Sequence, residues 1–257
     1  MSLNIHALSV CVKYGDFLSE SAKYNRGLFD TWTVVTDPSD LETREVCRRE
    51  NIRTILSEDG HRHGAPFSKG RLIERGLQHL PADGWRLHMD ADIVLPLDFR
   101  ARLLSADLQE DTIYGIDRIM VHSWSQWQDL IKTGYLQGGQ HAYHCRLHFP
   151  AGVQLGSRWA HPQFGYIPIG FFQLWHSSQD EWRGVRIKHY PHIHNTACRT
   201  DVQHGFQWDR HKRGLIPELI AVHLESEIAT TGSNWNGRKT KRFGPSPQKK
   251  CDANKGY

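Results

Sequence analysis

Strand-like and helix-like segments alternate through the first hundred residues, and this alternation limits the fold more than any other feature of the chain. The strand-like segments are short apolar runs, whereas the segments between them repeat their apolar residues with the helical period. Strands joined by helices lie parallel in one sheet with the helices on its faces. The sequence therefore predicts an α/β fold with a central, mostly parallel sheet flanked by helices. The predicted strands are ALSVCV (7–12), TWTVVTD (31–37), IRTILS (52–57) and the start of WRLHMDADIVLP (85–96), and the predicted helices cover residues around 17–28, 40–50 and 68–80.

Two aspartates, Asp90 and Asp92, interrupt the apolar run of the fourth predicted strand. An unpaired ionised carboxylate is very costly to bury, so we expect the strand to end at Met89 and the two carboxylates to meet a counter-charge where the chain turns. Ligands of such sheets sit beyond the carboxyl ends of the strands, where Asp37 also falls. Mg²⁺ and Mn²⁺ prefer oxygen ligands, which makes a metal site one interpretation. The other is a pair of turn aspartates that cap the next helix near Pro96.

The second half of the chain is less regular. Between residues 137 and 198 it is rich in glycine, histidine and aromatic residues. These aromatic residues either pack in the core, which we expect for most of them, or form a platform for a sugar or an acceptor. The other predicted elements are a strand over 112–121, a helix over 123–136, a capped helix over 200–214 that ends at Gly214, and a strand over 219–226.

Three features late in the chain have both a structural and a functional interpretation. His223 lies in an apolar strand, where a histidine is usually a satisfied core residue, but the segment after it is polar and basic. Asp201 begins a predicted helix, so it is either an N-cap or a general base. Six Lys or Arg residues and no acid occur between Arg238 and Lys250. This run is either a solvated tail or an electropositive flap over phosphates.

Composition and missing motifs exclude several classes of protein. The chain has 257 residues and a formal net charge of +4. It contains no apolar stretch near the ~20 residues of a membrane span and no N-terminal basic region followed by an apolar one, which predicts a cytoplasmic protein without a membrane span. No GxGxxG, GxxxxGK[ST] or GxSxG motif occurs, which argues against a Rossmann dinucleotide site, a P-loop and an esterase.

The order of the motifs resembles bacterial and phage glycosyltransferases of the GT-A fold, of the family-2-like type. The motifs that carry the resemblance are VVTDPSD, FSKGRLIERGLQHLPADGWRLHMDADIVLP, TDVQHGFQW, VHLES and NWNGRKTKRF. The resemblance is good over residues 5–120 and rests on shorter motifs from 195 to 243. It implies a single Rossmann-like GT-A domain with a mixed acceptor-side region. The implied parts are a nucleotide-sugar-binding half over 1–120, an acceptor and catalytic half over 121–228, and a basic flap or tail over 229–257.

The resemblance also implies a role for each matching residue. Asp201 matches the catalytic base of inverting members, although Thr200 stands where those members usually carry another acid. The DxD pair and a late histidine match the ligands of a Mn²⁺ or Mg²⁺ ion on the donor diphosphate. The implied metal ligands are therefore Asp90, Asp92 and His223. The implied nucleotide-sugar contacts are Val12, Asp37, Lys69, Arg71, Asp90, Ala91, Arg238, Lys239 and Lys241.

These assignments predict a metal-dependent glycosyltransferase that moves a sugar from a UDP- or GDP-sugar to the hydroxyl of an unknown acceptor with inversion. One alternative is a nucleic-acid-binding protein, because of the basic 238–250 run, or a transferase that glycosylates modified DNA bases. Another is a nucleotidyltransferase, which is weakened by the lack of a Gly-rich phosphate loop after the first strand. The order of the motifs favours the glycosyltransferase over nucleic-acid binding.

Overall fold

The computed structural model describes residues 3–65, 67–137, 153–156, 158–182, 185–192 and 199–225. Within these ranges, no helix combines the length and the apolar character that a membrane span requires. The α-helices are α1 (Gly15–Asn25), α2 (Leu41–Arg49), α3 (Lys69–Leu77), α4 (Phe99–Ser105), α5 (Trp124–Lys132) and α6 (Thr200–Gly205). The strands are β1 (Ile5–Val10), β2 (Thr31–Thr36), β3 (Arg53–Leu56), β4 (Trp85–Met89), β5 (Ile93–Val94), β6 (Ile113–Val121), β7 (Gln154–Leu155), β8 (Ala160–His161), β9 (Gly165–Tyr166), β10 (Phe172–His176), β11 (Glu181–Trp182), β12 (Val185–Arg186) and β13 (Arg213–Leu224).

Nine of the described strands form one sheet, in the order β3-β2-β1-β4-β10-β6-β13-β5, with β7 beside β6. The first four strands of this order run parallel to one another. Strand β10 lies antiparallel between β4 and β6, and β13 runs parallel to β6. The short strands β5 and β7 are antiparallel to their neighbours. The predicted α/β fold with a mostly parallel sheet and a mixed region in the second half of the chain is confirmed.

Helices cover both faces of this sheet, as the alternation of side chains along β1 shows. Ile5 and Ala7 belong to the same hydrophobic cluster as the buried side chains of α1 and α2. Leu8 and Val10 belong to a second cluster with the buried side chains of α3. Helix α3 lies very close to the strands, because a Cβ atom on Gly76 would be 2.3 Å from Leu8 Cδ1. This contact holds the last turn of α3 against β1, and the first residue of the helix, Lys69, reaches Asp90 at the carboxyl edge of the sheet.

Strand β4 is buried along its whole length and ends at Met89, as predicted. Its charged residue, Arg86, donates to Asp180 Oδ2 at 2.8 Å, and both side chains are fully buried. Trp175 donates to the same oxygen at 3.0 Å. Because an unpaired charge is costly to bury, Arg86 is stable inside the strand only with a partner such as Asp180.

The predicted helix over 200–214 is wrong in its extent. Helix α6 ends at Gly205, and Arg213 and Gly214 already pair in parallel with Ile113 and Tyr114 of β6. A Cβ atom on Gly214 would be 2.6 Å from the Tyr114 ring, so this glycine permits close strand packing and does not end a helix. The strand predicted over 219–226 is correspondingly longer. Its register shifts between Ile216 and Ile220, around Pro217, which agrees with the preference of proline for bulges.

Candidate active site

The turn that carries Asp90 and Asp92 is held by two buried polar residues of α1. Ser21 Oγ donates to the carbonyl oxygen of Ala91 at 2.6 Å. Asn25 donates to the carbonyl oxygen of Ile93 at 2.7 Å and accepts from the amide of Leu95 at 3.0 Å. These bonds satisfy main-chain groups in the turn after β4, in β5 and just beyond β5. They fix both aspartates at the carboxyl end of β4, as the sequence predicts.

Lys69, the first residue of α3, forms an ion pair with Asp90 Oδ1. The two side chains are only 16% and 24% exposed. Burial lowers the pKa of Lys69, but the neighbouring Asp90 outweighs this and the pKa is raised. Burial raises the pKa of Asp90, and repulsion from Asp92 adds to the rise against the opposing effect of Lys69. A lysine ammonium group therefore supplies the counter-charge that the sequence requires at Asp90.

His223 supplies the counterpart at Asp92. It lies on β13 opposite Ile93 of β5, and its Nε2 atom is 3.4 Å from Asp92 Oδ1 and 3.6 Å from Glu225 Oε1. Burial acts to raise the pKa of Asp92, but the neighbouring His223 lowers it overall. Burial raises the pKa of Glu225. Asp92 Oδ1 is nevertheless a buried oxygen without a hydrogen bond.

Arg118 of β6 contacts the other ring nitrogen of His223, with Nη1 3.0 Å from Nδ1. Its guanidinium group lies 4.4 Å from the centroid of the Phe171 ring. Because an arginine can only donate, Nδ1 accepts in this arrangement and the proton of a neutral ring lies on Nε2. A metal ion takes the lone pair of a neutral imidazole nitrogen. Metal binding through Nε2 would therefore require Arg118 to leave Nδ1.

The donor set agrees with a hard divalent cation, although the present arrangement places protein cations there. Asp92 and Glu225 offer carboxylate oxygens, and His223 between them offers an imidazole nitrogen. One of these oxygens, Asp92 Oδ1, is buried and has no hydrogen bond. Asp90 would join them if Lys69 released it. In the described part of the chain, no three His, Cys, Asp or Glu side chains converge closely enough to hold a metal ion as they stand.

Asp201 lies in the first turn of α6 and is not the N-cap, a position occupied by Arg199 with φ of 70°. Its Oδ2 atom accepts from the amide of Gly170 at 2.6 Å. The next residue, Phe171, accepts at its carbonyl oxygen from the amide of Asp90 at 3.2 Å. The two-residue segment 170–171 therefore connects the Asp201 carboxylate directly to the Asp90 turn.

The remaining sequence-derived candidates lie around this centre or outside the described residues. Asp37 directly follows β2, two strands from β4, which corresponds to about 10 Å. Burial acts to raise the pKa of Asp37, but hydrogen bonds from the Ser39 hydroxyl and amide lower it. Val12 is half-buried two residues after β1, and Ala91 has its side chain in the core. Arg71 is half-buried, and its Nε atom has no hydrogen bond. Arg238, Lys239 and Lys241 lie outside the described residues, as does the basic run as a whole.

Sequence reasoning missed Arg118 and Glu225. Both carried a signal of the same kind as Asp90, because each is a charged residue in or beside an apolar strand. Glu225 is also two residues after His223, which places both side chains on one face if the extended chain continues. The structure thus brings together Lys69, Asp90, Asp92, Asp201 and His223, which were predicted, with Arg118 and Glu225, which were not.

The aromatic residues of the second half divide between core and surface. Phe171, Phe172 and Trp175 are buried, which confirms the core interpretation for them. Phe164 and Phe206 are each 38% exposed and meet edge to face at 5.5 Å. Trp159 is half-buried and packs edge to face on Phe206 at 6.1 Å. Phe206 follows α6 directly, so this surface group adjoins the helix that carries Asp201.

No family model and no curated protein matches the chain. Among solved structures, glucosyl-3-phosphoglycerate synthase from Mycobacterium tuberculosis in complex with Mn²⁺, UDP and glucosyl-3-phosphoglycerate is 11% identical, with 87% of this chain and 71% of that chain covered and a TM-score of 0.48. Mannosyl-3-phosphoglycerate synthase from Rubrobacter xylanophilus is 18% identical, with 45% and 40% covered and a TM-score of 0.34. A 4-diphosphocytidyl-2C-methyl-D-erythritol synthase is 13% identical, with 94% of each chain covered and a TM-score of 0.41. At these identities and TM-scores, we base the functional proposal on the site of this chain alone.

Proposed function

We propose that this chain is a glycosyltransferase that moves a sugar from a nucleoside-diphosphate sugar to an acceptor hydroxyl, with Mn²⁺ or Mg²⁺ as cofactor. The observation that carries the proposal is the buried cluster at the carboxyl end of β4, where Asp90 and Asp92 meet Lys69 and His223. The carboxylates of this cluster interact with two fixed cations, Lys69 and Arg118, at the edge of the sheet where ligands of α/β folds bind. Such an arrangement suits a metal ion together with a diphosphate.

The charge balance of the cluster supports a divalent cation. When ionised, Asp90, Asp92, Glu225 and Asp201 are four carboxylates, while Lys69 and Arg118 are two fixed cations that interact with them electrostatically. A divalent cation would offset the remaining negative charge. Bound there, the metal would supply Lewis-acid stabilisation of the departing diphosphate. Lys69 would then turn from Asp90 to phosphate oxygens as a point charge.

The donor nucleotide would lie along the carboxyl edge of the parallel strands. With the diphosphate at Asp90 and Asp92, the nucleoside would extend towards Asp37, about 10 Å away across two strand spacings. Asp37 would accept a hydrogen bond from the ribose or the base. The other donor contacts we propose are Val12, Arg71 and Ala91 in the described ranges, and Arg238, Lys239 and Lys241 in the basic segment. Residues 1–120 would thus form the donor half of a single domain.

Asp201 is the group to which we assign proton abstraction from the acceptor hydroxyl, which would give inversion at the anomeric carbon. The Gly170 amide orients its carboxylate through Oδ2, and Gln173 Nε2 donates to its main-chain oxygen at 2.9 Å. A carboxylate held in this way keeps a fixed direction towards the acceptor. Residues 121–228 would form the acceptor and catalytic half.

A product assay tests this proposal. The full chain is incubated with a panel of UDP- and GDP-sugars, with Mn²⁺, with Mg²⁺ or with a chelator, and released nucleoside diphosphate is measured by chromatography. We expect metal-dependent release that Asp92→Asn lowers by at least a hundredfold. The matched control Asp129→Asn, at an exposed ion pair on α5, should retain full activity.

The same assay separates the competing functions. Release of pyrophosphate from nucleoside triphosphates would replace the proposal with a nucleotidyltransferase. Turnover that Asp92→Asn leaves unchanged, in a variant with the native melting temperature, would rule out the assigned site.

A further inference from the structure

A fully buried glutamine, Gln173, lies on β10 between β4 and β6, and its side-chain amide reaches the helix that carries Asp201. Its Nε2 atom donates to the carbonyl oxygen of Pro168 at 2.7 Å and to that of Asp201 at 2.9 Å. An amide nitrogen has two hydrogen atoms to donate, so these two bonds use both. One side chain therefore ties the loop before Gly170 and the first turn of α6 to the same strand.

The oxygen of the same amide is held by two other side chains. Tyr190 Oη donates to Gln173 Oε1 at 2.8 Å, and His204 Nδ1 lies 3.3 Å from the same oxygen. Both side chains are fully buried. The amide cannot turn over, because Oε1 would then face two carbonyl oxygens, which accept hydrogen bonds and do not donate them. A buried amide whose donors and acceptors are all paired has a single arrangement.

His88 extends this network to β4. It pairs with Gln173 in the register of the two strands, two residues before Asp90. Because Tyr190 gives its one hydroxyl hydrogen to Gln173, its oxygen accepts from His88 Nδ1, which is 3.2 Å away. The Tyr190 ring also stacks on the His204 ring, with centroids 4.3 Å apart. The direction of the Tyr190 hydroxyl is thereby fixed by hydrogen bonds and packing together.

The direction of the Asp201 carboxylate depends on these anchors. The Gly170 amide holds one oxygen, Oδ2, at 2.6 Å, and the other, Oδ1, remains for the acceptor hydroxyl of the proposed reaction. A carboxylate held at one oxygen can swing about it unless the main chain behind it is fixed. Close packing of α6 on the loop contributes, since a Cβ atom on Gly205 would be 2.7 Å from Ile167 Cγ2. Gln173 completes the restraint through the Asp201 carbonyl oxygen.

We propose that Gln173 is a positioning residue for Asp201, and that Tyr190 and His88 hold its amide in the orientation which that role requires. Gln173 does not touch the reacting groups. It acts by aiming Oδ1 at the acceptor hydroxyl, and direction matters because a hydrogen bond weakens steeply when its angle is bent. The role of Asp201 as the base rests on the proposed function, whereas the anchoring of α6 does not.

Kinetics and nucleotide binding on the full chain test the inference. In Gln173→Met, an unbranched apolar side chain of similar length replaces the amide. We expect a kcat for release of nucleoside diphosphate that is lower by about tenfold to a hundredfold, because a small misplacement of a reacting group has an effect of this size. The affinity for UDP or GDP in Mn²⁺ should stay within about twofold of the wild type, because Gln173 anchors the acceptor half.

Tyr190→Phe and Tyr114→Phe form a matched pair of variants that each remove one buried hydroxyl group. Tyr190 donates to Gln173, whereas Tyr114 accepts from the Gln109 amide at 2.7 Å near the start of β6. Strands β4 and β6 run in the same direction, so Tyr114 lies at the opposite end of the strands from Asp90. Tyr190→Phe should lower kcat by about threefold, and Tyr114→Phe should leave it unchanged.

A double-mutant comparison separates positioning from a purely structural role. If Gln173 acts through Asp201, then Gln173→Met should lower the residual activity no further in an Asp201→Asn background. A structural role would lower activity by the same factor in both backgrounds, and that result would overturn the inference. So would an unchanged kcat in folded Gln173→Met or, if that variant does not fold, in Tyr190→Phe, which removes a single oxygen atom.

Hydrogen exchange distinguishes failure of the inference from failure of the proposed function. The Phe206 amide donates to the Val202 carbonyl oxygen at 3.0 Å, so its exchange rate, followed by NMR without nucleotide, reports how firmly α6 is held. We expect exchange to be at least about tenfold faster in Gln173→Met. Equal exchange would overturn the anchoring whatever the activity is.

The two proposals therefore fail in different ways. Faster exchange in a chain that releases no nucleoside diphosphate from any nucleotide-sugar would support the anchoring and refute the proposed function. Full activity in Asp201→Asn would overturn the positioning role and leave the transferase standing.

Discussion

Replacing Lys69 with methionine tests whether the lysine ammonium group and a metal ion compete for Asp90. The Lys69 ammonium pairs with Asp90, and the two side chains are only 16% and 24% exposed. Removing one partner of a buried ion pair costs about 3–5 kcal/mol, because the other charge stays buried and unpaired. Since this pair retains some contact with solvent, we expect Lys69→Met to lower the free energy of unfolding by about 3 kcal/mol in chelator.

Metal ions should reverse much of this loss. A cation at a hundred times its dissociation constant stabilises the folded state by about 2.7 kcal/mol. Without Lys69, Mn²⁺ no longer has to displace an ammonium group from Asp90, so its affinity should rise by about tenfold, equivalent to about 1.4 kcal/mol. In contrast, affinity for UDP in the presence of saturating Mn²⁺ should fall, because a positive charge next to the diphosphate has been removed.

Chemical denaturation with and without Mn²⁺, together with calorimetric titration of Mn²⁺, measures both effects. Lys132→Met is the matched control, since Lys132 pairs with Asp129 on the surface and both side chains are more than half exposed. Its free energy of unfolding should change by less than about 1 kcal/mol. Unchanged or weaker Mn²⁺ affinity in Lys69→Met, with the same loss of stability in both media, would refute the competition.

Three other substitutions have defined outcomes. Asp201→Asn should lower kcat by about 10²–10⁴-fold, with the affinity for donor nucleotide unchanged, as measured by steady-state kinetics and calorimetry; full activity would remove Asp201 from the mechanism. Gly76→Ala should destabilise the fold by about 1–3 kcal/mol in denaturant titration, because its Cβ would meet the fully buried Leu8 at 2.3 Å. Burial acts to raise the pKa of Asp30, but hydrogen bonds from the Ile5 amide and Arg100 lower it overall. The stabilisation by the ionised Asp30 carboxylate is therefore present above the usual pKa of an aspartate, and it is lost as the pH falls through the lower pKa of the folded state. Asp30→Asn should therefore flatten the fall in stability below about pH 4, and an acid limb as steep as that of the wild type would contradict this.

Local chemistry was sufficient to predict the parallel half of the fold and the Asp90 turn. Apolar runs and helical periods identified β1 to β4 and the helices between them, and the cost of burying carboxylates located the end of β4 at Met89. The counter-charge was required by the same reasoning. That it comes from the first residue of α3 and from β13 is a consequence of tertiary packing.

Long-range pairing explains the parts that sequence reasoning missed. The segment 206–214 carries a good helix-ending glycine, yet Gly214 pairs with Tyr114 about a hundred residues earlier in the chain. Such pairing overrides a local propensity and leaves no signal within the segment itself. The sequence pattern places Arg118 in a strand. Strand periodicity does not show that its side chain contacts a histidine of the neighbouring strand.

The segment 170–171 connects the two ends of the proposed reaction through the main chain. Gly170 donates its amide to Asp201, and Phe171 offers its carbonyl oxygen to Asp90. The distance between the proposed base, Asp201, and the donor site at Asp90 is thus set by main-chain groups, which side-chain substitutions leave in place. In the proposed enzyme, the spacing of the reacting groups would therefore survive substitutions of the side chains around them.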